Sequence, residues 1–293
     1  MKDLVRKLRK YEIQIRKAID AQLQGDFKSV FKSSGLEFDD VRAYQYGDDV
    51  RSIDWNVSAK GHGTFVKTYR EEKEQNVFIL LDVSGSQALG VPGLQKMDIG
   101  KEISGILALA AIKQGSQLGM ICFSDTKEKY LKPGKGNEHA YSIIKTLAEL
   151  QPASKKTNIG EGIRLALNVV KRKSIMILIS DFIDLSYERE LIMLAKKHDL
   201  IVLQLMDRRE TAFPSLGIVP LLDKESGKTI WINTSSKAFK ERYLLPYAEN
   251  QEKLTKICRK YQADFLPIYV DQDYAPQLVN LFRARNRIMK RSS

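Results

Sequence analysis

The chain has 293 residues, a formal net charge of +12 and 43% hydrophobic residues. A chain of this length and hydrophobic content buries one large core, or a core with a small companion, so we expect a globular protein. Only two cysteines occur, Cys122 and Cys258, which argues against a disulfide framework and indicates two core residues in a reducing compartment. The net positive charge does not by itself indicate a class of ligand, because lysine and arginine are interleaved with 36 acidic residues.

The first predicted element is an amphipathic helix over residues 3–23, because apolar residues recur there at helical spacing with basic residues between them. The basic stretches at residues 2–10 and 283–291 are interpreted as solvated helix faces rather than as a surface for nucleic acid or anionic lipid. The N-terminus lacks the apolar core of a signal peptide, and the most hydrophobic stretch, 103–112, is too short to span a bilayer. We therefore predict a cytoplasmic protein that does not insert into the membrane itself.

Residues 25–75 form short polar and aromatic segments broken by glycine, which predicts a small irregular or β elaboration. After residue 76, apolar runs alternate regularly with helical segments. We therefore predict an N-terminal helix and subdomain over residues 1–75 and a main domain over residues 76–293.

The main domain alternates apolar runs with helical segments. The runs predicted as strands are residues 77–81, 118–123, 175–179, 200–206 and 265–270. The segments predicted as helices are residues 97–113, 140–150, 159–171, 187–197 and 238–261. Because strands that are apolar throughout need cover on both faces, the sequence predicts an α/β protein with a doubly wound, mainly parallel sheet.

Oxygen-bearing side chains follow two of these strands. Asp82, Ser84 and Ser86 come directly after the run 77–81, and Asp181 follows the run ending at Ser180. In an open sheet of this class, ligands bind outside the carboxyl ends of the strands, so neighbouring strands would bring the two carboxylates into one crevice. Carboxylate and hydroxyl oxygens suit a small hard cation such as Mg²⁺, with Mn²⁺ or Ca²⁺ as alternatives.

Thr157 completes this candidate metal site, because it precedes the predicted helix 159–171 and so lies where a hydroxyl can reach the same crevice. The same position has a structural interpretation as part of a helix start, where Asn158 and Glu161 would form a capping arrangement. Both roles are compatible.

Two other function classes fit parts of the pattern. Aspartate-nucleophile phosphatases also begin with an aspartate after a buried strand, but they carry a second aspartate two residues later as general acid, and here Ser84 occupies that position. A hydroxyl cannot protonate a leaving group as a carboxylic acid does, so we predict no enzymatic activity and keep a metal-dependent phosphohydrolase as the alternative. A basic nucleic-acid-binding protein is the other alternative.

Zinc and nucleotide chemistry find no support in the sequence. The histidines, His62, His139 and His198, lack the spacing of zinc ligands. The chain also has no Gly-x-x-x-x-Gly-Lys loop, so it is not itself an ATPase of that type.

The set Asp82, Ser84, Ser86, Thr157 and Asp181 resembles the metal-ion-dependent adhesion site of von Willebrand factor A domains. The resemblance implies a Rossmann-like fold in which the two serines and the threonine coordinate the metal directly or through water. It implies that the two aspartates bind the metal directly or act through water. The open coordination position would then take a carboxylate from a partner protein.

The stretch from residue 35 to 55 resembles the signature of the domain-of-unknown-function 58 family, and Ala59-Lys60 and residues 67–69 continue the likeness. In that family the signature precedes a von Willebrand A-like domain. The resemblance implies a partnership with a MoxR-type AAA+ ATPase in maturing or regulating protein complexes. The chain would be a non-enzymatic, metal-dependent adaptor that captures an acidic residue of the ATPase or of its client.

Inside the signature, residues 46–49 read Tyr-Gly-Asp-Asp. We interpret them as a glycine turn whose Asp48 and Asp49 pair with Arg42 or Arg51, with Trp55 as a buried anchor. The paired-aspartate hairpin of a polymerase is the alternative, but the chain lacks the size and the surrounding strand pattern for nucleotidyl transfer.

Overall fold

The structure, a computed structural model, describes residues 36–61, 63–71, 76–88, 95–113, 115–184, 186–211, 216–222, 229–239 and 245–292. The helix predicted over residues 3–23 and the basic stretch at residues 2–10 lie outside the described residues. His62 lies outside them as well.

Ten strands lie within the described residues. In chain order they are β1 (Leu36–Ala43), β2 (Phe65–Glu71), β3 (Asn76–Asp82), β4 (Gln117–Phe123), β5 (Lys127–Gly134), β6 (Ile175–Ser180), β7 (Asp199–Met206), β8 (Ile218–Leu222), β9 (Thr229–Asn233) and β10 (Asp264–Tyr269). The apolar runs predicted as strands are β3, β4, β6, β7 and β10, with ends that agree to within one or two residues.

The longer helices are Lys96–Lys113, Gly136–Glu149, Ile159–Val169, Glu188–Lys197, Leu245–Lys260 and Ala275–Ser292. Short helical turns occur at Val50–Ser52, Trp55–Ser58, Gly85–Ala88, Arg208–Thr211 and Lys237–Phe239. The segment predicted as one helix over 238–261 thus contains the end of a short turn and the helix Leu245–Lys260, with residues 240–244 outside the described chain.

A six-stranded sheet in the order β10-β7-β6-β3-β4-β5 organises the main domain. Its strands pair in parallel, except that β5 runs antiparallel to β4 at one edge. The sheet is therefore mixed and mainly parallel, as predicted. The edge strand β5 was not predicted, because its sequence is largely polar and only half-buried.

Successive residues of a strand point to opposite faces, and the central strand β3 shows this directly. Val77, Ile79 and Leu81 join one core, while Phe78 and Leu80 join the other. The first core lies beneath the helices Lys96–Lys113, Gly136–Glu149 and Ala275–Ser292. The second lies beneath Ile159–Val169, Glu188–Lys197 and Leu245–Lys260. The doubly wound α/β architecture is confirmed.

The two cysteines were predicted as core residues, and both are buried. Cys122 belongs to the first core and Cys258 to the second. Both are free thiols. Burial raises the pKa of each to about 12, so both stay protonated and apolar in character.

The signature segment forms an antiparallel hairpin, β1–β2, that is separate from the large sheet. Both terminal guanidinium nitrogens of Arg42 donate to the carboxylate of Asp48 at 2.7 Å, and Arg51 approaches Asp49 at 3.7 Å. The predicted pairing of the signature aspartates with these arginines is confirmed. The proposed boundary between residues 75 and 76 stays a prediction.

Trp55 is not a buried anchor, because 68% of its surface is exposed. The side chain of Asp54 caps the short helix Trp55–Ser58 by accepting from the backbone N–H groups of Asn56 and Val57. On a helical turn Val57 lies roughly opposite Trp55. Since Val57 is the half-buried side of this turn, the indole of Trp55 is left facing solvent.

The interpretation of the C-terminal basic stretch as a solvated helix face is wrong for Arg285. This side chain is buried and forms ion pairs with Asp199 at the start of β7 and with Asp264 at the start of β10. It therefore ties the final helix to the amino ends of two strands. In the described parts of the chain, the helices are all too short or too polar to cross a membrane.

Candidate metal site

The strand order places a crevice between the carboxyl ends of β3 and β6. From β3 the chain proceeds to β4 and β5 on one side, and then returns to β6 on the other side of β3. Such a point, where the direction of winding reverses, is where α/β sheets bind ligands. Asp82 is the last residue of β3, and Asp181 directly follows β6.

Asp82 is buried and is held by three hydrogen-bond donors. Its Oδ1 accepts from the backbone N–H of Ser84 at 3.0 Å, and its Oδ2 accepts from Ser180 Oγ at 2.6 Å and from Gln87 Nε2 at 3.3 Å. Burial and the negative charge of Asp181 raise the pKa of Asp82 to about 6, although the hydrogen bonds from Ser180 and Ser84 oppose the shift. The contact with Ser180 shows that the ends of β3 and β6 meet.

The turn after β3 presents the two candidate serines side by side. Ser84 is fully buried, and its Oγ lies 3.1 Å from Ser86 Oγ. Gln87, in the same turn, directs its amide nitrogen to Asp82, while its buried Oε1 has no hydrogen-bond partner within the described chain. Hydroxyl and amide oxygens thus gather next to a buried carboxylate.

Gly85 brings the segment that carries Thr157 against this turn. Its N–H donates to the carbonyl of Lys155 at 2.8 Å, and a Cβ at this position would meet that carbonyl oxygen at 2.6 Å. Only glycine permits this approach. Thr157 is half-buried and lies two residues beyond Lys155. The structure therefore brings the Thr157 segment to the serine turn.

Glu128 of β5 and the helix start fix the same segment from its other side. The carboxylate of Glu128 accepts from the N–H groups of Ala153 and Ser154 at 2.8 and 3.0 Å, and from Ser124 Oγ at 2.6 Å. After Thr157, Asn158 caps the helix Ile159–Val169 by accepting from the N–H of Glu161 at 2.9 Å. The predicted capping arrangement is confirmed.

Asp181 lies in a buried ion-pair cluster that the sequence did not indicate. Its Oδ2 accepts from Lys96 Nζ at 2.6 Å, and its Oδ1 accepts from the N–H of Ile183 at 3.3 Å. Lys96, the first residue of the helix Lys96–Lys113, also pairs with Glu210 Oε1 at 2.5 Å. Lys96 and Asp181 are both fully inaccessible to solvent.

The cluster contains more carboxylates than ammonium groups, and this shifts the pKa values of its members. Burial would lower the pKa of Lys96, but the charges of Asp181 and Glu210 outweigh that effect and raise it. Burial, together with the charge of Asp181, raises the pKa of Glu210 in spite of Lys96. Asp181 and Glu210 thus share a single buried ammonium group, and the negative charge of Asp181 also acts on Asp82.

These residues fit a hard divalent cation. The local excess of carboxylates, the paired hydroxyls of Ser84 and Ser86, and the unpartnered oxygen of Gln87 together offer oxygen donors and uncompensated negative charge. Among the described residues, histidine, cysteine, aspartate and glutamate form no group of three or more that is arranged to hold a metal. A site here would therefore depend on the hydroxyl groups.

The sequence missed Lys96, Glu210, Ser180 and Gln87. Ser180 precedes Asp181 at a strand end, so its proximity to Asp82 could have been inferred once β3 and β6 were taken as neighbours. Lys96 and Glu210 gave no signal, because a lysine at a helix start and a glutamate among arginines are normally solvated.

A relative from Mycobacterium tuberculosis, described as an uncharacterized protein, is 24% identical over 283 residues, which cover 96% of this chain and 89% of the relative. Its description assigns no activity. The likeness therefore extends over almost the whole length of both proteins.

Three solved structures are similar to this chain at low sequence identity. The conserved hypothetical protein BatB from Bacteroides thetaiotaomicron is 16% identical, with a TM-score of 0.46, and the match covers 74% of this chain and 99% of BatB. The SpRpn10 VWA domain is 14% identical, with a TM-score of 0.40, and covers 70% and 94%. The manganese-loaded TRAP protein of Plasmodium vivax is 15% identical, with a TM-score of 0.40, and covers 73% and 74%.

The family is shown by the sequence itself. Residues 40–253, most of the chain, match the family described as "Protein of unknown function DUF58". This range includes the second half of β1, the signature turn and the candidate metal site. The chain therefore belongs to the DUF58 family.

Proposed function

We propose that this protein is a metal-dependent protein-binding adaptor without enzymatic activity. In this proposal a divalent cation, Mg²⁺ by preference, is held directly or through water by Asp82, Ser84, Ser86, Thr157 and Asp181 and captures a carboxylate of a partner. The partner is a MoxR-type AAA+ ATPase or its client protein. When bound, the cation supplies an electrophilic position that accepts an oxygen ligand.

The observation that supports the proposal most strongly is the serine turn at the winding reversal. Ser84 Oγ and Ser86 Oγ lie 3.1 Å apart, directly beside the buried carboxylate of Asp82. A strand-end turn with a purely structural role would not need two adjacent hydroxyls beside a carboxylate whose pKa is raised to about 6. A divalent cation would balance that buried charge.

Each residue of the proposed site has its own role. Ser84 and Ser86 provide neutral oxygens, which leave most of the cation's charge available to a partner's carboxylate. Asp82 orients the turn through the N–H of Ser84, and Ser180 holds Asp82 in place. Gly85 and Glu128 fix the segment that carries Thr157.

Capture of the ATPase tests the proposal. The immobilised protein is incubated with the purified MoxR-type ATPase of the same organism, in Mg²⁺ and in EDTA. We expect retention in Mg²⁺, loss of retention in EDTA, and loss of at least about tenfold in affinity for Ser84→Ala, since a tenfold change corresponds to only about 1.4 kcal/mol.

Ser142→Ala is the matched control, because Ser142 is an exposed serine whose hydroxyl donates within the helix Gly136–Glu149. It should retain the ATPase like the wild type. Retention that is indifferent to both EDTA and Ser84→Ala would contradict the proposal. Hydrolysis of a generic aryl phosphate that is lost in Ser84→Ala would favour the phosphohydrolase instead.

A further inference from the structure

Lys96 occupies a position that the proposed metal site leaves unexplained. Its ammonium group is fully buried and lies 2.6 Å from Asp181 Oδ2 and 2.5 Å from Glu210 Oε1. A buried lysine is costly unless it is paired, so these contacts are strong constraints on the local structure. They place a fixed positive charge directly on a candidate metal ligand.

Both carboxylate oxygens of Asp181 already have donors. Lys96 Nζ holds Oδ2, and the N–H of Ile183 contacts Oδ1 at 3.3 Å. Asp82 has donors of comparable number, but they are hydroxyl, amide and backbone groups and carry no charge. Direct binding of a cation through Oδ2 of Asp181 would require it to leave the hydrogen bond from a full positive charge. Direct binding through Oδ1 would bring the cation close to that same ammonium group, whereas the donors around Asp82 are uncharged.

We propose that Lys96 is a positioning residue that competes with the cation for Asp181 and so prevents Asp181 from binding the metal directly. This inference rests on the proposed metal site. The competition weakens the affinity of the chain for the cation. It also leaves the cation with one fewer carboxylate, and therefore more electrophilic toward the carboxylate of a partner.

Glu210 makes it possible to separate the release of Asp181 from a change in the net charge of the cluster. It shares the ammonium group of Lys96 and lies on the short helix Arg208–Thr211 that follows β7. Removing Lys96 alone changes the net charge of the cluster. Removing the charges of Lys96 and Glu210 together leaves the net charge unchanged while still releasing Asp181.

Isothermal titration with Mg²⁺ and Mn²⁺ tests the inference on the full chain. We expect Lys96→Met to bind both cations at least about tenfold more tightly than the wild type, because a repelling unit charge is removed near a dication. We expect the double variant Lys96→Met, Glu210→Gln to bind them more tightly too. Damage to the site would lower the affinity, so an increase separates competition from a structural role.

Lys101→Met is the matched control, because Lys101 is a buried lysine of the same helix whose Nζ donates to the carbonyl of Leu150 at 3.1 Å. It should leave the affinity unchanged. The double variant also remains informative if Lys96→Met does not fold, since it leaves one carboxylate without the ammonium group instead of two. Circular dichroism and a cooperative thermal transition establish the fold of each variant.

The outcomes separate this inference from the proposed function. If the wild type binds Mg²⁺, Ser84→Ala does not, and the Lys96 variants bind no more tightly than the wild type, the metal site stands and the inference is overturned. Equal gains in Lys101→Met, or a gain in Lys96→Met that the double variant lacks, would also overturn it. Binding by the Lys96 variants but not by the wild type would support the inference and contradict the proposed metal site of the wild-type protein. If no variant binds either cation, both fail.

Discussion

At the scale of single residues, the candidate site is defined by short distances between side-chain oxygens. Ser180 Oγ and Asp82 Oδ2 are 2.6 Å apart, and Ser84 Oγ and Ser86 Oγ are 3.1 Å apart. Each contact depends on a strand end or a turn that the buried core fixes. The chemistry of the site therefore depends on the backbone around Gly85 as much as on the oxygen donors.

Replacement of Gly85 tests this dependence. In Gly85→Ala the new Cβ would meet the carbonyl oxygen of Lys155 at 2.6 Å, and a backbone atom cannot move aside as a side chain can. We expect the free energy of unfolding to fall by about 1–3 kcal/mol, as for other overpacked positions. Because the two loops must separate, we also expect weaker binding of Mg²⁺. Urea denaturation and titration calorimetry measure the two effects.

Gly160→Ala provides the comparison, because its nearest neighbour, the carbonyl oxygen of Ser186, would lie at 3.3 Å and alanine favours the helix in which Gly160 lies. We expect a change within about 1 kcal/mol. A Gly85→Ala protein as stable as the wild type would show that the serine turn and the Thr157 segment do not need this close approach.

At the scale of elements, the junction between the helix Glu188–Lys197 and β7 contains a buried histidine. The backbone N–H of His198 ends the helix by donating to the carbonyl of Leu194 at 2.9 Å. Its two ring nitrogens are buried and have no hydrogen-bond partner within the described chain. Burial, with the charge of Lys197, lowers the pKa of His198 to about 4. The imidazole is therefore neutral in the folded protein near neutral pH.

The pH dependence of stability follows from that shift. Below its ordinary pKa of about 6.5, the histidine gains a proton in the unfolded chain but not in the folded one. The contribution of His198 to stability is therefore full above pH 6.5 and is lost as the pH falls toward 4. We expect His198→Leu to lose less stability than the wild type between pH 7.5 and pH 5, as measured by urea unfolding. Equal losses in both proteins would contradict the assignment.

Elements also differ in how far the sequence predicts them. The strands β3, β4, β6, β7 and β10 are apolar throughout because helices cover both faces, and that pattern is visible in the sequence. The edge strand β5 and the hairpin β8–β9 are missed, because half-buried and exposed strands lack that signal. Each of these strands pairs with a strand nearby in the chain, so what the sequence lacks is the apolar pattern of a buried strand.

At the scale of the whole molecule, the strand order decides what the sequence can say about the site. Asp82 and Asp181 could be placed in one crevice only if β3 and β6 are neighbours, and the sheet order makes them so. The cluster of Lys96, Asp181 and Glu210 joins three elements that are far apart in the chain. No local pattern marks such a contact, so the counter-charge at the site could not be predicted.

The helix Lys96–Lys113 and the signature hairpin β1–β2 differ in how they are connected to the candidate metal site. The helix Lys96–Lys113 begins with the lysine that pairs with Asp181, and the same helix packs into the first core. The signature hairpin β1–β2 forms a separate sheet and exposes Trp55. The site and the helix thus share a direct contact, whereas the hairpin makes no strand pairing with the large sheet.

A divalent cation bound between the serine turn and the strand-end aspartates is the feature on which the proposed function depends. A crystal structure of the protein grown with Mn²⁺, with anomalous diffraction at the manganese edge, tests it most directly. We expect an anomalous peak roughly 2.1 Å from the Oγ atoms of Ser84 and Ser86, the distance at which small octahedral dications bind oxygen. No peak at the serine turn, or a peak only elsewhere in the molecule, would contradict it.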